Sequence, residues 1–187
     1  MLIMLLRWWI IFTVCVSGCA HRSISHPRAA SSSPTTLPTT SISDDTMAAD
    51  TFGLTPQPPS GWKPKPIERD DSSTRQVWVS PTRATAYGIV RFGLPLPVGP
   101  GLALPGFIAE TGHQQGTTRL ISSEAHAASG GVQFVADMPL YRMRGILWTH
   151  GFTGWVVYAS TERAAPVNDQ ELVAALHARD ATVAAKP

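Results

Sequence analysis

The pattern of hydrophobic and polar positions divides the chain into three parts. Residues 8–16 are almost continuously apolar, residues 21–60 carry only scattered hydrophobic positions, and regular patterning begins after Gly61. Alternation of apolar and polar residues with period two is typical of half-buried strands. The predicted strands are Gln76–Ser80, Ala84–Phe92, Arg119–Ser123, Val132–Asp137, Tyr141–Trp148 and Trp155–Ser160.

Two segments predict helices. Residues 105–115 carry Pro in the first turn and are followed by Gly116, a common stop signal. The second helix begins after Asn168, a good N-cap, and Glu171 stands where it would complete a capping box. Between the strands and the first helix, residues 94–104 are rich in Pro and Gly and predict an apolar loop.

The order of these elements predicts an α+β fold. It consists of an antiparallel, meandering sheet covered by a middle helix and a C-terminal helix. Residues 52–187 form the globular domain, because they contain the regular patterning and four of the six Trp. A domain of this length is large enough for a single hydrophobic core.

The segment before the domain has the composition of a tether. Ser, Thr and Pro make up 21 of the 40 residues from 21 to 60. Such a stretch buries too little apolar surface to offset its ordering entropy. Residues 19–51 are therefore predicted to be a disordered tether, and a flexible coil of this length spans roughly 30 Å. An O-glycosylated stalk has the same composition and is the alternative.

The N-terminus predicts export. Residues 1–18 combine Arg7 with a short apolar stretch, as in a secretory signal peptide. Val16-Ser17-Gly18-Cys19 resembles the lipobox of bacterial lipoproteins. The resemblance implies cleavage before Cys19, acylation of Cys19 and, in a diderm host, sorting to the outer membrane. The alternative is an uncleaved membrane helix with Arg7 inside it.

The domain also resembles a known family in the order of its elements. Gly61-Trp62, the strand carrying Trp78, a glycine-rich middle, a long hairpin and a closing helix are similar to the PsbP-like family. That resemblance implies an α/β/α sandwich with assembly or adaptor roles. It carries over no functional residue.

Charge and composition narrow the function classes. Fifteen Lys and Arg against thirteen Asp and Glu give a net charge of +2, too small to indicate nucleic-acid binding. The only two Cys are Cys15 and Cys19, so the domain has no cysteine metal cage. Its four His lack metal-ligand spacing. No metal or cofactor is expected.

Two groups of residues are candidates for a binding function. Arg142 and Arg144 share a predicted strand face with Trp148, and the three form a candidate contact patch for an acidic partner or lipid headgroups. The alternative is a solvated sheet surface. The apolar loop 94–104 either folds over the core or forms a docking surface.

One carboxylate and two histidines are candidates for acid–base chemistry. Asp137 follows a strand and could pair with His126 or His150 in a hydrolase. The acidic cluster at residues 68–71 is interpreted as a solvated turn rather than a cation site, because calcium-loop spacing is missing.

These features predict a lipid-anchored, extracytoplasmic protein of the cell envelope with a non-catalytic role in binding or assembly. Its predicted partners are the membrane, through the lipid on Cys19, and an envelope protein. The alternative is a small-ligand carrier, in which the sheet and residues 94–104 enclose an apolar cavity. An envelope hydrolase is the third hypothesis.

Overall fold

The computed structural model describes residues 51–186. The lipobox, Cys19 and the predicted tether up to residue 50 lie outside the described residues. In chain order the elements are β1 (Lys63–Pro64), β2 (Glu68–Arg69), β3 (Ser73–Val79), β4 (Thr85–Gly93), α1 (Pro100–Gln115), β5 (Arg119–His126), β6 (Gly131–Asp137), β7 (Tyr141–His150), β8 (Thr153–Glu162) and α2 (Asp169–Ala184).

All eight strands belong to one antiparallel sheet, which confirms the predicted α+β class. The order across the sheet is β1-β3-β4-β8-β7-β6-β5, and β2 also pairs with β3. Strands β5 to β8 form a meander, and its last strand pairs with β4. The chain from β4 to β5 must therefore cross the sheet, and α1 makes that connection.

The two helices pack on opposite faces of the sheet. On β4, Tyr87 and Ile89 belong to the hydrophobic cluster that α2 covers. Val90 and Phe92 pack against the other cluster, which contains residues of α1. Side chains of successive strand residues point to opposite faces, so the layers are helix, sheet and helix.

The start of the middle helix differs from the prediction. Helix α1 begins at Pro100, which occupies its first turn, and Pro105 lies inside the helix. The sequence pattern predicted a helix start at Pro105, because residues 94–104 are rich in Pro and Gly. A helix start at Pro100 is physically sound, since proline's missing N–H costs nothing in the first turn.

The N-terminal segment of the domain is more deeply buried than its proline content indicated. Phe52 is fully buried and Leu54 is 5% exposed, and both belong to the cluster under α2. Thr51 also contacts the domain, because Arg69 donates to its hydroxyl and Arg91 donates to its carbonyl. The folded domain thus includes Thr51.

The strand directions define two ends of the sheet. The end that carries Thr51 also holds the β2–β3 turn, residues 94–99 and the β7–β8 turn at 150–153. We call it the Thr51 end. The opposite end, the Thr82 end, holds the β3–β4 turn and the β6–β7 turn.

Candidate functional site: a groove between helix α1 and the sheet

A groove opens on the α1 face of the sheet because the two helices cover different strands. Helix α1 packs mainly on β5, β6 and β7, whereas α2 packs on β4, β7 and β8 from the other side. The α1 face of β3, β4 and β8 therefore borders a cavity of about 760 Å³. Small-molecule sites typically have volumes of roughly 300–1,000 Å³.

The floor of the groove is apolar, whereas the α1 wall combines apolar residues with the polar Glu110, Thr111, Gln114 and Gln115. The floor consists of Val90 and Phe92 of β4, Met143 of β7 and Tyr158 of β8. The α1 wall and the loop before it contribute the remaining apolar lining, namely Leu94, Pro95, Val98, Leu102, Ala103 and Phe107. This lining suits a ligand with substantial hydrocarbon surface.

Glycines opposite aromatic residues shape this face of the sheet. Tyr158, Phe134 and Phe92 lie directly across from Gly88, Gly145 and Gly154 on neighbouring strands. A Cβ added at any of these glycines would come within 2.3–2.5 Å of the opposing ring. The rings can lie flat on the strands only because the glycines have no side chain.

The other wall of the groove is polar and comes from β2, the turn after it and β3. Arg75 forms an ion pair with Glu68 at this wall. The side chain of Arg75 is only 11% exposed, while that of Glu68 is 58% exposed. The groove therefore has a buried cation whose counter-charge remains in contact with solvent.

Burial changes the pKa of Arg75 in this wall and of Tyr158 in the floor. It lowers the pKa of the Arg75 guanidinium and raises the pKa of the Tyr158 hydroxyl, and the proximity of the two groups partly opposes both shifts. Arginine nevertheless remains protonated in proteins and a phenol with a raised pKa remains neutral. At neutral pH the groove thus presents a cation and a neutral phenol.

The acidic turn proves to be a structural turn around Asp70. Its carboxylate accepts hydrogen bonds from the backbone and hydroxyl groups of Ser72 and Ser73. Burial alone would raise the pKa of Asp70, but these hydrogen bonds outweigh burial and lower it. Within residues 51–186 no group of three or more His, Cys, Asp or Glu is arranged to hold a metal ion.

The candidate contact patch separates into a core residue and two surface cations. Trp148 is 7% exposed and stacks on Trp155 with ring centroids 5.9 Å apart. Arg142 makes two hydrogen bonds to Asp137, of 2.6 and 2.9 Å. Arg144 lies on the same face with Nη1 buried and unpaired. A contact role therefore remains a prediction for Arg142 and Arg144.

The acid–base pair of the hydrolase hypothesis is not assembled. Asp137 is opposite Arg119 at one end of the β5–β6 pair, while His126 is opposite Gly131 at the other end. His150 lies eight positions along β7 from Arg142, the partner of Asp137. At about 3.3 Å per strand residue, both histidines are beyond hydrogen-bond reach of Asp137.

Residues 94–104, predicted as an apolar loop, form the loop 94–99 and the start of α1, and they include both packed and exposed side chains. Leu94 and Val98 pack against the cluster under α1, and Leu104 is buried in it. Leu96 and Leu102 are 65% and 77% exposed. The apolar residues of this segment were the sequence signal for the groove. Arg75, which stands directly before the predicted strand Gln76–Ser80, gave no such signal.

No protein-family model and no curated protein sequence matches this chain. Within the described residues, none of the helices has the length and apolar character needed to cross a membrane.

Proposed function

We propose that this chain is a lipid-anchored, extracytoplasmic binding protein that holds a small apolar or amphipathic molecule in the groove beside α1. The groove of about 760 Å³ is the observation that carries the proposal. Its floor is hydrocarbon and aromatic, and its polar wall can orient a ligand through Arg75 and Glu68. This corresponds to the small-ligand alternative of the sequence analysis.

A pair of glycine substitutions on α1 tests this proposal. A Cβ at Gly106 or at Gly101 would meet nothing within 4 Å, but only Gly106 lines the groove. Gly106→Phe therefore fills the groove, and Gly101→Phe is a control that makes the same substitution in the first turn of α1, outside the groove lining.

The readout is mass spectrometry of small molecules extracted from the purified full chain. We expect the wild type and Gly101→Phe to carry the same compound and Gly106→Phe to lose most of it. Equal amounts of compound on all three proteins, or none on the wild type, would contradict the proposal.

The anchor is a separate part of the proposal, and it rests on the sequence. Val16-Ser17-Gly18-Cys19 has the features of a lipobox, and the chain from Cys19 to Thr51 has the composition of a tether. Cys19→Ser is expected to abolish the acyl mass of the mature chain and release it from the membrane fraction. A wild-type chain without acyl mass would refute the anchor and leave the groove unaffected.

An assembly role is a second candidate, favoured by the edge of the sheet. β5 is the last strand of the sheet, and nearly all of its residues are exposed. An exposed edge strand can accept a strand from a partner. A photo-crosslinker at Ile121, 44% exposed on β5, should then capture an envelope protein that one at Val173, 49% exposed on α2, does not capture.

A further inference from the structure

Three exposed apolar side chains lie at the Thr51 end, on the loop before α1, at the start of α1 and on the β7–β8 turn. Leu96 is 65% exposed, Leu102 is 77% exposed and Phe152 is 63% exposed. Leu102 also lines the groove, and Leu96 lies between two residues that line it, Pro95 and Val98. Isolated exposed apolar residues are ordinary, but a group at the mouth of an apolar groove indicates an interaction surface.

Hydrogen bonds hold the backbone that presents these side chains. The amide of Leu94 donates to the carbonyl of Phe152 at 2.8 Å. The hydroxyl of Thr149 donates to the carbonyl of Val98 at 2.7 Å. The loop 94–99 is thus hydrogen-bonded to the end of β7 and to the β7–β8 turn, and these segments carry Leu96 and Phe152.

Thr51, the first residue that the structure describes, lies at this same end. Arg69 and Arg91 bind Thr51, and Trp155 Nε1 donates to the carbonyl of Phe52 at 2.8 Å. Residues 20–50 separate Thr51 from the predicted acylation site. A chain of this length, anchored by acyl groups, holds its domain within tens of ångströms of the membrane.

We propose that Leu96, Leu102 and Phe152 insert into the surface of the bilayer that holds the acylated Cys19, so that the groove opens against the membrane. This inference rests on the proposed anchor. Tethering raises the effective concentration of these side chains near the lipid, so a shallow apolar insertion is sufficient to keep the domain on the membrane. A groove docked in this way could exchange an apolar ligand with the bilayer without passing it through water.

Single-cysteine labelling of the full, lipidated chain tests the docking. Apart from Cys15 and Cys19 the sequence contains no Cys, so in a cleaved and acylated chain an introduced Cys is the only free thiol. The label is an environment-sensitive fluorophore at Leu96→Cys, with Leu140→Cys as the matched control. Leu140 is 64% exposed, nearly the same as Leu96, but lies at the Thr82 end.

The labelled chains are reconstituted into phosphatidylcholine vesicles with and without brominated acyl chains. We expect the label at position 96 to shift to shorter wavelength and to be quenched by the brominated lipid, and the label at 140 to do neither. Equal behaviour at the two positions in chains that float with the vesicles would overturn the docking. Chains that do not float would instead refute the anchor.

A second comparison tests the apolar side chains themselves. A label at Phe152→Cys is measured in a Leu96→Ser/Leu102→Ser background and in a Leu140→Ser/Val167→Ser background. Val167 is 54% exposed and, like Leu140, belongs to the Thr82 end. The shift should disappear in the first background and persist in the second. Persistence in both would show that these leucines do not dock the domain.

Discussion

The ring of Tyr158 lies on Gly88, its direct partner across β4 and β8. A Cβ on Gly88 would fall 2.3 Å from Cζ of Tyr158, closer than any real Cβ contact. Tyr158 forms part of the groove floor, so this glycine determines how deep the groove is.

Gly88→Ala should therefore destabilise the domain by about 1–3 kcal/mol, the usual cost of forcing side chains out of a packed arrangement. Denaturant unfolding measures the effect. In a Tyr158→Leu background the same substitution should cost much less, since the ring that it meets is gone. An equal cost in both backgrounds would show that the ring contact does not require the glycine.

The buried hydroxyl of Tyr87 predicts a specific alkaline sensitivity. It is 2.7 Å from Thr182 Oγ1, which also donates to the carbonyl of Ala178 and accepts from the amide of Gln57. Burial raises the pKa of Tyr87 to about 12, although hydrogen bonding with Thr182 and with the Gln57 amide opposes the shift. The unfolded chain, with an ordinary pKa of about 10, then loses this proton first.

The contribution of Tyr87 to stability is complete below pH 10 and is lost as the pH rises towards 12. The free energy of unfolding should fall by about 1.4 kcal/mol per pH unit in this window. Tyr87→Phe should cost about 1 kcal/mol at pH 7 and give a shallower alkaline slope. Urea unfolding at pH 7, 10 and 11 provides the comparison, and parallel slopes would contradict the assignment.

The first turn of α2 is attached to the β3–β4 turn by a side chain. The hydroxyl of Thr82 donates to Glu171 Oε2 at 2.6 Å, and the amide of Thr82 donates to Oε1 at 3.3 Å. Glu171→Ala should thus destabilise the domain by about 1 kcal/mol more than Asp169→Ala. Both residues are acidic and lie in the first turn, so both interact favourably with the helix dipole, and the comparison isolates the contact with Thr82.

The same pair of variants has a defined pH dependence. Burial alone would raise the pKa of Glu171, but hydrogen bonds, mainly from Thr82, lower it. Its stabilising effect is therefore present above the ordinary pKa of glutamate and is lost as the pH falls through the lowered value. The difference between Glu171→Ala and Asp169→Ala should shrink in acid, and a constant difference would argue against the contact.

The two prolines of α1 should respond in opposite directions to replacement by Ala. Pro105 lies inside the helix, where it removes a backbone hydrogen bond, so Pro105→Ala should stabilise the domain by about 1–3 kcal/mol. Pro100 is in the first turn, where its restricted φ suits the helix, and Pro100→Ala should lower stability slightly. Thermal unfolding of both variants tests the sign.

Most of the secondary structure could be predicted from local sequence patterns. The alternation predicted for residues 84–92 matches β4, whose side chains point alternately to the two faces of the sheet. Asn168 caps α2 as predicted, because its side chain accepts from the amides of Gln170 and Glu171. Both are short-range effects, because strand alternation and helix capping involve residues only a few positions apart. The predicted α+β class follows from the order of such elements.

Contacts between distant residues decided the rest. Glu171 looked like the second member of a capping box, yet its carboxylate is bound to Thr82, 89 positions earlier. Phe52 and Leu54 stand in a proline-rich segment without strand or helix patterning, yet they are buried in the cluster under α2. The sequence around each residue contains no information about which remote surface will meet it.

The groove is the clearest case of this division. The residues themselves predict an export signal with a lipobox and a tether, and their patterning predicted the α+β class that the structure shows. Only the tertiary structure placed α1 over β5–β7, left the α1 face of β3, β4 and β8 open, and brought Arg75 and Tyr158 to the same cavity. Periodicity is a property of neighbouring residues, whereas a cavity is the space left between elements that pack elsewhere.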